Sequence, residues 1–271
     1  MFYHNIKDYA PEKFKRLTGV SKPTFALMVD ALVQGLPAFG RPPALSLEDR
    51  LLMVLMYWRE YRTQEHIGET YGVSEATVSR TVRQFETILI KDKRFHLPGK
   101  KALRDSDTVF EIVLIDATEC PCERPKKKQR RYYSGKKKRH TNKAQVIGDK
   151  KTGKIIATAF GPGKTHDLAL FKQSQTHLVA WLWGLADSGY QGLDKLHQNS
   201  LTPQKKSKHH PLTREQKANN REIARARIGC EHIIGRLKVF RILSERYRNR
   251  RKRFGLRFNL IAAICNMERD E

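Results

Sequence analysis

The sequence predicts an α/β protein in two parts, an N-terminal helical domain followed by a mixed sheet flanked by helices. Three observations predict it. Apolar residues recur at helical spacing up to about residue 95, whereas short β-branched and aromatic runs take over from about residue 105 and alternate with helix-length segments. Between them, residues 96–104 carry Pro98 and Gly99, which punctuate the chain. The expected domains are therefore residues 1–98 and 105–271.

In the first domain, "LSLEDRLLMVLMYWREY" (45–61) opens on Ser46 as an N-cap and carries a Leu/Met/Trp stripe. In "TQEHIGETYGVSEATVSRTVRQFETIL" (63–89), Ile67 and Gly68 belong to a short helix, Gly72 suits the positive φ of a tight turn, and Ser74 caps a second helix. Val78, Val82 and Phe85 form the buried side of that second helix, which completes a helix-turn-helix pattern. In such a motif the second helix enters the major groove, so Glu75, Thr77, Arg80 and Arg83 are the residues expected to face DNA. An ordinary helical hairpin uses the same glycine turn, so the motif gains force from the charge of the chain.

That charge is large. In 271 residues, 53 Lys+Arg stand against 28 Asp+Glu, a formal net charge of +25. Such a surplus points to a polyanionic partner, with nucleic acid first. The longest apolar run, near residues 51–58, is too short to span a bilayer, and "MFYHNIKDYA" has no export pattern. The expectation is an intracellular protein with no membrane partner, whose four cysteines stay reduced. Cys120 and Cys122 could begin a zinc site with His209 and His210, but their one-residue gap and the lack of a second paired half argue against it.

In the second domain, "VFEIVLID" (109–116) reads as a central buried strand, and residues 142–163 read as a hairpin turning at Gly153. "THDLALFKQSQ" (165–175) is a helix, and "WLWGLADSGYQG" (181–192) is a strand ending in Asp187. A helix-length stretch follows. A long helix then starts near Thr213 and carries Glu231, and residues 254–268 form a last helix.

Asp116 and Asp187 thus each end an apolar strand. Strand ends of open α/β sheets carry the ligand crevice, although an Asp also ends strands merely because it favours turns. Two such acids, with a glutamate isolated among cations in "RARIGCEHIIGRLK" (225–238), are more specific. Glu231 has a simpler reading as an i, i+4 partner of Arg227. Phosphodiester chemistry gives the three acids a common purpose. Two Mg²⁺ ions about 4 Å apart neutralise the attacking and leaving oxygens, and such hard cations take carboxylate ligands.

Six motifs in order, "IDATECPCERP", "YYSGKKKRHTNKAQ", "TGKI", "HDLALF", "ADSGYQG" and "EHIIGRLKVFRILSERYRNR", resemble the DDE transposases of bacterial insertion sequences, in the IS5-type group. The resemblance spans nearly the whole chain. It implies an RNase H-like fold and a Mg²⁺-dependent DNA strand cleavage and transfer, with Mn²⁺ as a substitute. Its catalytic and metal-binding triad falls on Asp116, Asp187 and Glu231. The family's Tyr, Arg, Glu, Lys helix pattern maps onto Arg227, Glu231 and Lys238, with Ala224 where the family has Tyr. Arg227 and Lys238 are then DNA contacts.

Nine Lys/Arg and no acid occupy residues 126–140, with Tyr132 and Tyr133 among them, so Lys136, Lys137, Lys138 and Arg139 are expected on a backbone-gripping hairpin. "RYRNRRKR" (246–253) is either a second phosphate rail or a solubilising segment. Glu119 is close enough in sequence to Asp116 to orient a metal-bound water, and His166-Asp167 matches a family motif with no role derivable from the residues.

The expected partners are double-stranded DNA, both transposon ends and target, and further copies of the chain in a homodimer or larger synaptic complex. The expected location is the bacterial cytoplasm, with the nucleoid. The rival is a DNA-binding repressor, or an inactivated descendant, whose acids are structural.

Overall fold

The computed structural model describes residues 2–37, 42–206 and 211–269. The chain forms two compact units. The first gathers Met1–His96, Leu237–Tyr247 and Leu256–Glu271, and the second gathers Leu97–Arg236 and Arg248–Gly255. The division after His96 coincides with the Pro98-Gly99 punctuation. The sequence assigns everything from 105 onward to one domain, whereas here the closing segments group with the N-terminal helices.

The first unit begins with α1 (Tyr3–Ile6), α2 (Pro11–Thr18), α3 (Lys22–Gly35), α4 (Leu47–Arg59), α5 (Gln64–Tyr71) and α6 (Glu75–Leu89). Ser46 caps α4 by accepting the N–H of Asp49, and the stripe Leu51, Leu52, Leu55 and Trp58 is buried. The second unit follows with α7 (Lys101–Arg104), β1 (Ile112–Pro121), α8 (Gln129–Tyr132), β2 (Tyr133–Ser134), β3 (Arg139–Asp149), β4 (Ile155–Pro162), α9 (Asp167–Gln173), β5 (Trp183–Ala186), β6 (Ser200–Leu201), α10 (Arg214–Ala226) and α11 (Ile228–Lys238). The chain closes with α12 (Arg241–Ser244) and α13 (Phe254–Met267).

What returns the chain to the first unit is a buried ion pair. Nε of Arg257 on α13 donates to Oε1 of Glu86 on α6 at 2.6 Å, and both residues are nearly inaccessible, at 3% and 0%. Trp58 Nε1 donates to the same carboxylate oxygen at 3.3 Å, and Arg257 Nη1 donates to the hydroxyl of Tyr247 at 2.8 Å. Glu268 adds a second fastening, accepting the Ser21 N–H at 2.8 Å and lying 2.6 Å from Lys15 Nζ.

The sheet of the second unit is mixed, as the sequence predicts. β4, β3 and β1 are antiparallel neighbours, and β5 and β6 continue from β1 in parallel. One face buries Val113, Ile115 and Ile147 against Leu103 of α7, Phe171 of α9 and Tyr190. On the other face α11 lies against β1. An added Cβ on Gly229 would fall 2.8 Å from Leu114 Cδ1, so a larger residue there would require the leucine tip to shift.

Three expectations need correction. β1 does not stop at Asp116 but runs to Pro121, because β3 pairs with it as far as Pro121↔Thr141. The stretch after Gly192 is turns and the short strand β6 rather than a helix. The helix carrying Glu231 starts as predicted after its N-cap Thr213, with a Thr213/Gln216 capping box, but it breaks at Arg227 into α10 and α11. Among the described residues, no helix is long and apolar enough to cross a membrane.

Removing one partner of a buried ion pair leaves an uncompensated charge in the core. Arg257→Ala is therefore expected to cost about 3–5 kcal/mol. The check is the denaturant midpoint followed by Trp58 fluorescence, with Trp181 and Trp183 changed to Phe.

Candidate active site

Two neighbouring strands deliver the first two acids. The parallel ladder between β1 and β5 ends at Ile115↔Ala186, and the next residue on each strand is an aspartate. Asp187 leaves β5 as the cap of a 3-10 turn, Ser188–Tyr190, and its Oδ1 accepts the Gly189 N–H at 2.8 Å. Asp116 stays within β1, held by the antiparallel partner β3, at the point where its parallel partner departs. A departing strand beside a continuing one opens the crevice that α/β sheets use for ligands.

The Asp116 carboxylate is poorly placed for a charge. Burial pushes its pKa up to about 6, and the negative charges of Asp187 and Asp167 push the same way; Arg227 and the Ala117 N–H oppose them. The Arg227 guanidinium is 3.6 Å from Asp116 Oδ2, and Ala117 donates to Oδ1 at 2.8 Å. Cys230, one turn along α11, is buried, and its thiol is pushed up to about 12 by burial and then by Asp116. It is a packing residue at neutral pH, not a nucleophile.

A third aspartate enters from α9. Asp167, the first residue of that helix, lies 2.6 Å from Lys143 Nζ on β3. A Cβ on Gly189 would sit 2.9 Å from Asp187 Oδ1 and still closer to Asp167 Oδ2, so the turn after β5 needs glycine to pass between these carboxylates. Beside it, the buried Tyr190 hydroxyl donates to Gln145 Oε1 at 3.3 Å. Its pKa is driven well above the ordinary value by burial, then by Asp167, Asp116 and Asp187. Gln145 is itself fully buried, and its Nε2 has no hydrogen-bond partner.

Sequence reasoning missed Lys143, Tyr190 and Gln145 and gave Asp167 no role. Their signals were a lysine inside the strand "NKAQVIG" and the "HD" and "GY" pairs. Glu119 fares differently. It accepts the Thr141 hydroxyl at 2.9 Å and, by strand alternation, lies on the face of β1 opposite Asp116, beside Lys143.

Glu231 lies on α11 and is exposed. The i, i+4 pair with Arg227 is not formed: the break at Arg227 turns that guanidinium to Asp116 instead. Among the described residues, no group of three His, Cys, Asp or Glu is close enough to hold a metal ion. The structure therefore brings Asp116 and Asp187 together, with Asp167 near them, and does not bring Glu231 into contact with them. Cys120 and Cys122 are buried, and the zinc partners proposed from sequence, His209 and His210, lie outside the described residues.

The expected DNA-contacting residues occupy two other places. In the first unit, Gly72 ends α5 with φ 66°, Val73 donates to the Gly68 carbonyl at 3.0 Å, and Ser74 caps α6 by accepting the Thr77 N–H. Val78, Val82 and Phe85 are buried while Arg80 and Arg83 are exposed, as a helix-turn-helix requires. Thr77 is half-buried, its hydroxyl 3.0 Å from that of Ser74. In the second unit, Ser134↔Arg139 closes a hairpin whose tip presents Lys136, Lys137 and Lys138, all exposed. Arg227, at 16% side-chain exposure, faces Asp116; Lys238, exposed at the end of α11, belongs to the first unit.

Two family descriptions and two relatives match the chain. Residues 115–266 match the family described as DDE superfamily endonuclease, and residues 43–93 match the helix-turn-helix of DDE superfamily endonuclease. The chain is 49% identical, over 99% of its length and 98% of the relative's, to a probable transposase for insertion sequence element IS702 of Microchaete diplosiphon. It is 25% identical, over 87% of each, to a putative transposase for insertion sequence element IS112 of Streptomyces albus G. No solved structure matches it.

A carboxyl whose folded pKa is raised favours the protonated form, so its folded-state cost is absent below about pH 4 and complete above about pH 6. Asp116→Asn, which mimics the protonated group, is expected to stabilise the protein at pH 7 by about 1–3 kcal/mol and to leave it unchanged near pH 3. Thermal unfolding at the two pH values checks this.

Proposed function

Since the chain belongs to the DDE superfamily of endonucleases and carries that superfamily's helix-turn-helix, we propose that it is the transposase of an insertion sequence, reading terminal inverted repeats and cutting and rejoining DNA there. A single observation carries the catalytic part of this reading: Asp116 and Asp187 emerge side by side where two parallel strands part, with Asp116 under repulsion from neighbouring carboxylates.

That arrangement fits divalent cations. A carboxylate that burial and like charges disfavour is relieved by a dication at the same place. Asp116 and Asp187 are the ligands the geometry offers. Glu231 is taken as the third because the family's helix pattern falls on it and because α11, which carries it, brings Cys230 within the influence of the Asp116 charge. Bound Mg²⁺, in two ions, or Mn²⁺ in its place, supplies charge neutralisation at the attacking and leaving oxygens.

The rest falls to the chain's own residues. Arg227 offsets part of the charge on Asp116, and the Ala117 N–H fixes the position of its Oδ1. Lys143 fixes Asp167, which with Gly189 sets the path of the turn beyond Asp187. Arg80 and Arg83, with Thr77, read the terminal repeat in the major groove; the hairpin of Lys136 to Arg139 grips phosphates, and Lys238 contacts DNA separately. A water attacks first and frees a 3′-OH. That 3′-OH then attacks a target phosphodiester, exchanging one such bond for another. Two ends are handled together, which requires a homodimer or larger assembly on DNA, in the IS5-type manner.

The experiment is cleavage and strand transfer with a duplex carrying the element's ends, a target plasmid and Mg²⁺. Asp187→Ala and Glu231→Ala are each expected to lose more than the roughly 10–100-fold that outer-shell changes cost at metal sites. Full activity in either variant removes that residue from the triad. A DNA-binding protein without catalysis is instead the reading if the unaltered chain binds the ends and never cuts them.

Metal binding has its own readout. Mg²⁺ is expected to raise the thermal midpoint of the unaltered protein, by the mass-action stabilisation of about 2.7 kcal/mol at 100 times Kd, and to leave Asp116→Asn unmoved.

A further inference from the structure

Among the described residues, six other than glycine hold a positive φ, and four of these are cations: Lys128 (57°), Lys138 (51°), Arg250 (54°) and Arg253 (57°). This left-handed conformation strains a residue with a Cβ, and turns that need it usually take Gly or Asn. Here Lys and Arg stand where the backbone would be better served by glycine. The side chains, rather than the turns, account for the choice.

Both turns belong to the second unit, and both are fastened to the same end of the sheet. Lys138 sits in the loop of the β2–β3 hairpin, and Lys128 precedes α8 at its base. Asn142 Nδ2 on β3 donates to the Arg250 carbonyl at 2.9 Å, and the Arg250 guanidinium lies 3.7 Å from Glu123, just past β1. The Arg131 carbonyl accepts the Lys164 N–H at 3.1 Å, tying the base of the first turn to the chain after β4. Lys128, Lys138 and Arg250 are exposed.

We propose that these two turns form one rail for the phosphate backbone of duplex DNA, separate from the base-reading helix. Pro121, where β1 ends, is five residues beyond Asp116, or roughly 17 Å along an extended strand. The rail therefore holds phosphates away from the one being cut, at the end of the sheet where β1 stops. This placement rests on the proposed function, in which Asp116 marks the reacting phosphate. The rail itself does not.

The test uses the full chain with Lys128→Gly, Lys138→Gly and Arg250→Gly combined, and a duplex lacking any terminal repeat, with affinity measured between about 50 and 200 mM salt. The expected result is a slope of log K against log salt reduced by about 2.7, three contacts at roughly 0.9 each. The thermal midpoint is expected to hold or rise, because glycine relieves the left-handed positions. The charge-keeping set Lys128→Arg, Lys138→Arg and Arg250→Lys is expected to retain the slope. An unchanged slope in the glycine variant overturns the rail, as does a lowered midpoint with an unchanged slope, which makes these residues structural. A loss confined to duplex RNA overturns the choice of DNA. A reduced slope in a protein that never cleaves DNA keeps the rail and removes only its distance from the chemistry.

Discussion

The Glu86–Arg257 pair is the constraint on which the first unit depends. Glu86 lies on the buried side of α6, the helix that carries Arg80 and Arg83 on its other face. Burying that carboxylate is tolerable only with a cation and donors around it. Arg257 and Trp58 supply the donors, and the Arg257 guanidinium also stacks 5.2 Å from the Tyr57 ring. One acid thus joins α4, α6 and α13, and the orientation of α6 follows from this join rather than from the turn at Gly72 alone. The pair specifies geometry; apolar neighbours such as Phe85, Leu260 and Ile261 supply the burial that makes the unit stable.

In the second unit the same electrostatic problem is left unsolved. Asp187 and Asp167 both disfavour a charge on Asp116, and the protein answers with one ion pair each for Asp116 and Asp167. The pair at Asp116 is loose: Arg227 stands 3.6 Å away, and its Nε has no hydrogen-bond partner. Stability is lowered here and charge density is raised, a trade found where a protein binds cations or does chemistry. The glycine at 189 contributes, since it lets the backbone pass where a Cβ would crowd the Asp167 and Asp187 carboxylates.

Local chemistry was legible in the sequence, and long-range pairing was not. The helix-turn-helix could be read because Gly72, Ser74 and the Val78, Val82, Phe85 spacing all act within one short stretch. Asp187 could be placed because its strand ends where its apolar run ends. Asp116 was misread as a strand end, since what prolongs β1 is β3, a partner encoded well downstream. The break at Arg227 was invisible for the same reason: "REIARARIGCEHIIGRLK" has the period of one helix, and the Asp116 that Arg227 meets at the turn lies far upstream. Lys143–Asp167 and Glu86–Arg257 join residues 24 and 171 positions apart, with no local pattern to announce them.

The division of the chain also bears on how the protein is made. Synthesis runs from the N-terminus, and domains generally fold as their residues emerge. The first unit cannot follow that order, because Arg257 is translated after the whole of Leu97–Arg236. Until then Glu86 has no guanidinium, and the helix bearing Arg80 and Arg83 lacks one of its supports. A nascent or truncated chain is thereby handicapped in its first unit, and a fully braced α6 certifies that the sheet carrying Asp116 and Asp187 has already been translated.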